Sequence, residues 1–123
     1  MPDVRYPVVV AGGVPVVAAP QEIDITNAAG LREVLLDLIP GHAAVVIDMT
    51  QTQFCDTAGL HVLVMAHKRA LAQGCQVRLA MPGGPVLRIL AITGIDRVIP
   101  RFTSLEDAMA APAAPGARRP PTG

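Results

Sequence analysis

Aromatic side chains are nearly absent from this chain of 123 residues, which has no tryptophan, one tyrosine and two phenylalanines. Hydrophobic residues nevertheless make up 51% of the sequence, so its core has to be built from Val, Leu, Ile and Ala. A chain of this length can bury enough surface for one domain and is too short for two. We therefore expect a single small domain with an aliphatic core.

Net charge and long apolar runs are also missing. Ten basic and ten acidic residues cancel to a formal charge of zero, and no basic stripe indicates a nucleic-acid partner. The longest apolar run, around residues 14–19, is far shorter than the roughly 20 residues that span a bilayer. The first residues lack the charged-then-apolar order of a secretory signal. These absences predict a soluble cytoplasmic protein that does not insert into membranes.

Cysteine is scarce too, since the chain has only Cys55 and Cys75. Two cysteines at this spacing form neither a zinc motif nor a disulfide framework. We expect Cys55 just after one strand and Cys75 at the start of the next parallel strand, hence at opposite ends of the sheet. A disulfide needs Cα atoms within roughly 7 Å, so we predict two small buried thiols, with a redox role as the alternative.

Residues that could carry chemistry do not form a catalytic or metal motif. The histidines are His42, His61 and His67, and the last two lie about 120° apart around a predicted helix. We expect His67 at the edge of the core. The glycine pairs match neither the dinucleotide-binding nor the P-loop pattern. We therefore predict no catalytic residue, no metal, no cofactor and no enzymatic activity.

Hydrophobic periodicity predicts alternating strands and helices. The predicted strands cover residues 7–10, 14–18, 44–49, 76–80 and 97–99, and the predicted helices cover residues 27–39, 57–73, 85–92 and 105–110. Pro15 places its strand at an edge or delays its start. This order predicts an α/β domain over residues 1–110, with about four helices packed on a mixed four- to five-stranded sheet. Residues 111–123, rich in Pro and Ala, are expected to form a disordered tail.

The helix predicted over residues 57–73 has two faces. Four aliphatic residues share the face expected to pack on the core: Leu60, Leu63, Val64 and Leu71. Val62 and Met65 point the other way, where they form either an exposed docking patch or a contact with a neighbouring helix. Before this helix, a short acidic loop places Asp56, Thr57 and Ala58 at the helix N-terminus, where free N–H groups can meet a phosphate or a partner's side chain.

Four segments resemble the STAS domain family of anti-sigma factor antagonists in order and spacing. They are the acidic loop at residues 22–24, the strand at 45–49, the loop at 54–60 and the Thr-Gly-Ile segment at 92–99. The resemblance implies a non-catalytic protein that binds an anti-sigma factor with a serine-kinase fold and thereby frees a sigma factor for transcription. The alternatives are a subunit of a stressosome or lipid-transport complex, or a module that senses a nucleotide or another small ligand.

The resemblance also implies a partner-binding face. Its members here are Glu22, Asp24, Thr26, Asp56, Thr57, Ala58, Gly59, Leu60, Val62 and Met65. In the family, phosphorylation of a serine before the loop glycine abolishes binding, and Ala58 occupies that position in this chain. Thr57 either accepts the phosphate instead or is a helix N-cap or first-turn residue whose hydroxyl bonds its own backbone, and we favour the second interpretation. We expect a monomer or weak dimer that resists phosphorylation.

Overall fold

Residues 6–112 are described by a computed structural model. Within this range the strands are β1 (Val8–Ala11), β2 (Val14–Ala18), β3 (Glu22–Ile23), β4 (Ala44–Asp48), β5 (Phe54–Cys55), β6 (Gln76–Ala80) and β7 (Arg101–Phe102). The helices are α1 (Ala28–Leu38), α2 (Thr57–Ala72), α3 (Pro85–Thr93), α4 (Ile95–Val98) and α5 (Leu105–Ala110). The tail predicted for residues 111–123 lies outside this range from residue 113 onward.

The main sheet has five strands in the order β1-β2-β4-β6-β7. β1 runs antiparallel to β2, whereas β2, β4, β6 and β7 pair in parallel. Parallel neighbours need crossover connections, and the helices supply them. The predicted mixed sheet with helices packed on it is confirmed.

Pro15 lies in β2, which has a strand on each side, so the predicted edge position is wrong. The parallel pairing of β2 with β4 begins one residue later, at Val16 opposite Val46. The missing N–H of Pro15 therefore removes no bond from that ladder, because the strand begins late on this side.

The larger part of the core lies between the sheet and helices α1, α2 and α3. Alternate sheet residues point into it and are fully buried: Val17, Val45, Ile47, Val77 and Leu79. The opposite sheet face is smaller and packs on α5 through Val16, Val46, Ala80 and Ala108. The core is aliphatic, as the composition predicts.

Arg78 ties α5 to the sheet from within the smaller layer. Its side chain is 2% exposed and donates to the Gln76 side chain at 2.7 Å, to the Ala108 carbonyl at 3.0 Å and to the Pro112 carbonyl at 2.9 Å. Burial lowers the pKa of Arg78 from its ordinary value. The end of α5 is thus held by two of these hydrogen bonds, to the Ala108 and Pro112 carbonyls, and the third joins the guanidinium group to Gln76 of β6.

The buried face of α2 differs from the predicted one. Its buried residues are Gly59, Val62, Leu63, Ala66 and Ala70. Leu63 is fully buried as predicted, but Leu71 is 65% exposed and Val62 only 6%. The helix packs through small residues that allow its backbone to approach the sheet closely, and the larger Leu60 and Val64 are half-buried at the sides.

The strand predicted over residues 97–99 is also wrong. Gly94 ends α3 with a φ of 80°, and the chain turns there into α4. The last strand is β7, which begins after Pro100 and pairs with β6 through Leu79 and Ala80. The other predicted helices agree with the structure to within a residue at each end. None of the helices formed by residues 6–112 combines the length and hydrophobicity that crossing a bilayer requires.

Candidate functional site

A small second sheet brings the two predicted loops together. β3 pairs in parallel with β5, with Glu22 opposite Phe54 and Ile23 opposite Cys55. The ladder continues through the Asp56 amide, which donates to the Ile23 carbonyl at 3.0 Å. The sequence predicted an acidic loop at residues 22–24 and no strand there. The pairing places residues 22–26 beside the first turn of α2, and we call residues 22–26 and 56–60 together the acidic face.

Gly59 allows α2 to sit directly on this small sheet. The residue is buried, and a Cβ at this position would lie 2.5 Å from Cys55 Sγ and 2.8 Å from Ile23 Cγ2. These distances are shorter than any normal packing contact. Gly59 therefore supports the acidic face from below by close packing, and it does not present a side chain to a partner.

Asp56 fixes both halves of the acidic face with one carboxylate. Its Oδ1 accepts from the Gly59 amide at 3.1 Å, which caps the N-terminus of α2. Its Oδ2 accepts from the Ile25 amide, also at 3.1 Å. The second bond joins two segments that are 31 residues apart.

A turn of side-chain hydrogen bonds orders the segment around Ile25. Asp24 Oδ1 accepts from the Thr26 amide at 2.9 Å and from the Thr26 hydroxyl. The Asn27 side chain accepts from the Asp24 amide at 2.9 Å and donates to the Glu22 carbonyl at 2.8 Å. The bonds from the Thr26 hydroxyl and amide lower the pKa of Asp24, so its carboxylate stays ionised.

Thr57 does not cap the helix, so the favoured interpretation of this residue is wrong. It is the first residue of α2, directly after the Asp56 cap, and its side chain is exposed. Its hydroxyl has no hydrogen-bond partner among residues 6–112. The neighbouring Ala58 is half-buried. The helix cap uses Asp56 because its carboxylate reaches the Gly59 amide.

A family model of the STAS domain matches residues 5–108. The chain belongs to the STAS family. Over 98 residues it is 28% identical to the anti-sigma-F factor antagonist RsfB of Mycobacterium tuberculosis, an alignment that covers 79% of this chain and 80% of that protein. The predicted family is confirmed.

Solved structures show the same fold. An anti-sigma factor antagonist from Mycobacterium paratuberculosis superposes with a TM-score of 0.77 at 26% identity, covering 89% of this chain and 94% of that chain. An anti-sigma-factor antagonist (STAS) domain protein from Planctomyces limnophilus gives a TM-score of 0.76 at 22% identity, covering 85% and 94%, and supports the fold alone.

The acidic face of this STAS domain carries negative charge and no cationic side chain of its own. Glu22, Asp24 and Asp56 lie on it, and neither residues 6–31 nor residues 43–60 contain a lysine or arginine. Two exposed apolar side chains accompany them, Ile25 at 79% and Phe54 at 48% exposure. Sequence reasoning missed both, because they are separated along the chain and only the β3–β5 pairing brings their segments together.

The three larger apolar residues of the predicted site, Leu60, Val62 and Met65, differ in how deeply they are buried. Val62 is buried against the core, so its assignment to an exposed docking patch is wrong. Leu60 and Met65 are half-buried, and Met65 lines an open groove along α2 with His61 and Lys68. The groove begins at His61, directly after the acidic face, and Met65 lies about one helical turn further along α2.

The titratable groups near α2 do not point to catalysis. Cys55 is buried as predicted, and desolvation with the nearby Asp56 charge raises the pKa of its thiol to about 11. Burial lowers the pKa of His67, which is half-buried at the edge of the core. Across the described range, no group of three or more His, Cys, Asp or Glu side chains is arranged to hold a metal ion.

Proposed function

We propose that this STAS domain is an anti-sigma factor antagonist. It binds an anti-sigma factor with a serine-kinase fold through its acidic face, and this binding releases a sigma factor to RNA polymerase. The antagonist names of RsfB and of the Mycobacterium paratuberculosis protein support the role. In this proposal the chain regulates transcription by protein binding alone and is not an enzyme.

The observation that carries the proposal is the pair of hydrogen bonds made by Asp56. Asp56 holds the Ile25 amide and the Gly59 amide at 3.1 Å each, so two distant segments form one ordered surface. A surface that is already ordered loses less conformational entropy on binding than a mobile loop. The charges of Glu22, Asp24 and Asp56 favour a partner surface that is basic.

Ala58 removes the usual point of control from this surface. Alanine has no hydroxyl to phosphorylate, and the half-buried methyl group lies next to the Asp56 cap. Thr57 precedes it on the helix, where successive side chains point about 100° apart. A kinase active site that fits position 58 therefore meets the Thr57 hydroxyl in a different direction, and the protein stays competent to bind.

Ala58→Asp tests the acidic face directly. A carboxylate in the first turn of α2 is favourable for the helix, so the variant keeps its fold. In the partner contact, however, a larger and strongly hydrated carboxylate takes the place of a methyl group and has to be desolvated. We expect affinity for the purified anti-sigma factor of the same organism to fall at least about tenfold by isothermal titration calorimetry.

The matched control is Ala72→Asp, an exposed alanine at the far end of the same helix. It adds the same charge outside the acidic face and should leave affinity unchanged. If Ala58→Asp remains folded and binds as tightly as the wild type, the acidic face is not the binding surface. If the wild type itself does not bind the anti-sigma factor, the proposed function is wrong.

A further inference from the structure

Ile25 is an exposed apolar side chain on a main chain that is held in place. It exposes 79% of its surface between Asp24 and Thr26. Its amide donates to Asp56 at 3.1 Å, and the Thr26 amide that follows donates to Asp24 at 2.9 Å. The side chain therefore projects to solvent from consecutive peptide groups that are both fixed by carboxylates.

Single exposed isoleucines are common on protein surfaces and need no function. Ile92 shows the ordinary case: it is 78% exposed on α3, and its charged neighbours along the chain, Arg88 and Asp96, are of opposite sign. Ile25 differs in its surroundings, because carboxylates from both segments of the acidic face lie beside it. Phe54, 48% exposed, adds a second apolar side chain to the same small sheet.

This combination has the properties of an interface hot spot. An apolar side chain contributes most to binding when it enters a fitted pocket and when polar groups around it exclude water. Ordering of the loop before binding reduces the entropy lost on association. The rim here is acidic and has no lysine or arginine within residues 6–31 or 43–60, so the matching pocket has a basic border.

We propose that Ile25 is the apolar anchor of the acidic face and inserts into a pocket of the partner protein that is bordered by Lys or Arg side chains. Asp56 is the positioning residue that holds the Ile25 main chain in the orientation this insertion needs. The inference rests on the proposed binding of an anti-sigma factor and names the side chain that decides its affinity.

The test compares Ile25→Ala with Ile92→Ala, which removes the same atoms from a side chain of equal exposure on another surface. Both variants should fold as the wild type does. Against the purified anti-sigma factor that the wild type binds, we expect Ile25→Ala to weaken affinity at least about tenfold and Ile92→Ala to leave it unchanged.

The outcomes separate the two proposals. If the wild type binds but the difference between the two variants is smaller than tenfold, Ile25 is not the anchor and the proposed function stands. If the wild type does not bind, the proposed function fails and the inference fails with it. If Ile25→Ala instead abolishes self-association of the isolated chain in analytical ultracentrifugation, the pocket belongs to a second copy and the inference is wrong.

A double-mutant cycle tests the role of Asp56 as a positioning residue. Asp56→Asn keeps one acceptor oxygen and loses the other, so it releases the Ile25 amide or the Gly59 amide. If Asp56 acts through Ile25, Asp56→Asn weakens binding in the wild type and changes it less than about twofold in the Ile25→Ala background. Equal effects in both backgrounds would show that Asp56 acts independently of Ile25.

Discussion

At the scale of single residues, the geometry of the acidic face depends on the absence of a side chain at Gly59. Gly59→Ala would place a methyl group 2.5 Å from Cys55 Sγ and 2.8 Å from Ile23 Cγ2. We expect a loss of about 1–3 kcal/mol in the free energy of unfolding, measured by urea denaturation, because the overpacked side chains have to move. Partner affinity should fall as well, since the first turn of α2 shifts.

Gly83→Ala is the control for this prediction. Nothing lies within 4 Å of the position its Cβ would take, and Gly83 does not adopt a positive φ. Its free energy of unfolding should stay within about 0.5 kcal/mol of the wild type. Equal stability of the two variants would mean that α2 does not pack as closely on β3 and β5 as the structure indicates.

Asp24 provides a pH-dependent prediction at the same scale. The Thr26 hydroxyl, and then the Thr26 amide, hold the pKa of Asp24 below its ordinary value of 3.8. The ionised form is favoured by folding, so this stabilisation is present above the unfolded pKa and is lost as pH falls through the folded pKa. An NMR titration of the carboxyl carbon should give a midpoint below 3.8 in the wild type.

Thr26→Val should raise that midpoint toward the ordinary value, because it removes the hydroxyl that contributes most to the shift. Thr57→Val removes an exposed hydroxyl elsewhere on the acidic face and should leave the titration of Asp24 unchanged. A midpoint that does not respond to Thr26→Val would assign the shift to the backbone bonds instead.

At the scale of elements, two leucines of α2 that the periodicity predicted on one face differ in burial. Leu63 is fully buried and Leu71 is 65% exposed. Leu63→Ala should lower the free energy of unfolding by about 2–5 kcal/mol, through lost apolar burial and the cavity left behind. Leu71→Ala should change it by less than about 0.5 kcal/mol in the same denaturation experiment. A comparable loss of stability in both variants would show that Leu63 and Leu71 both pack on the core, as the periodicity predicted.

The hydrophobic pattern predicted α2 correctly as a helix, but the buried face was predicted from the positions of the large apolar side chains. Large apolar residues score highest in such a pattern, whereas the buried stripe uses Gly59, Ala66 and Ala70 together with Val62 and Leu63. Small residues let the helix backbone approach the sheet. Periodicity counts hydrophobic side chains and does not register how close two backbones come, so this error is inherent in the pattern.

Short elements were lost for a different reason. β3 and β5 have two residues each, and α4 has four, so none is long enough for a hydrophobic pattern to recur. Ile23 and Ile25 are two residues apart, and in a longer strand both side chains would lie on the same face. The Asp24 side chain turns the chain between them, and one isoleucine is buried while the other is exposed. An Asp two residues before a Thr is the local signal that favours such a turn.

At the scale of the whole molecule, the question is whether phosphorylation regulates binding of the partner. With Ala58 at the usual acceptor position, we expect no change in intact mass after incubation with the kinase-type anti-sigma factor and ATP. Ala58→Ser supplies the missing hydroxyl and should gain one phosphoryl group, about 80 Da, with a fall in affinity because the bulky, hydrated group intrudes on the contact. The measurement is intact-protein mass spectrometry.

Thr57 is the residue that would account for the opposite result. Its hydroxyl is exposed and is not bonded within residues 6–112. A mass increase in the wild type that disappears in Thr57→Val would make Thr57 the phosphoacceptor and would contradict a permanently binding-competent state. A mass increase that persists in Thr57→Val would show that a hydroxyl other than that of Thr57 accepts the phosphoryl group.

The separation of the small β3–β5 sheet from the main sheet has a consequence for how such proteins diverge. Ile23 and Cys55 of this sheet pack on Gly59 of α2 and form an inner set, whereas the side chains of Glu22, Ile25 and Phe54 lie outside the core. A duplicated gene can therefore alter the outer three without endangering the inner three. Two antagonists in one cell can acquire different partners through a few surface substitutions, and their signalling pathways become insulated while the scaffold stays the same.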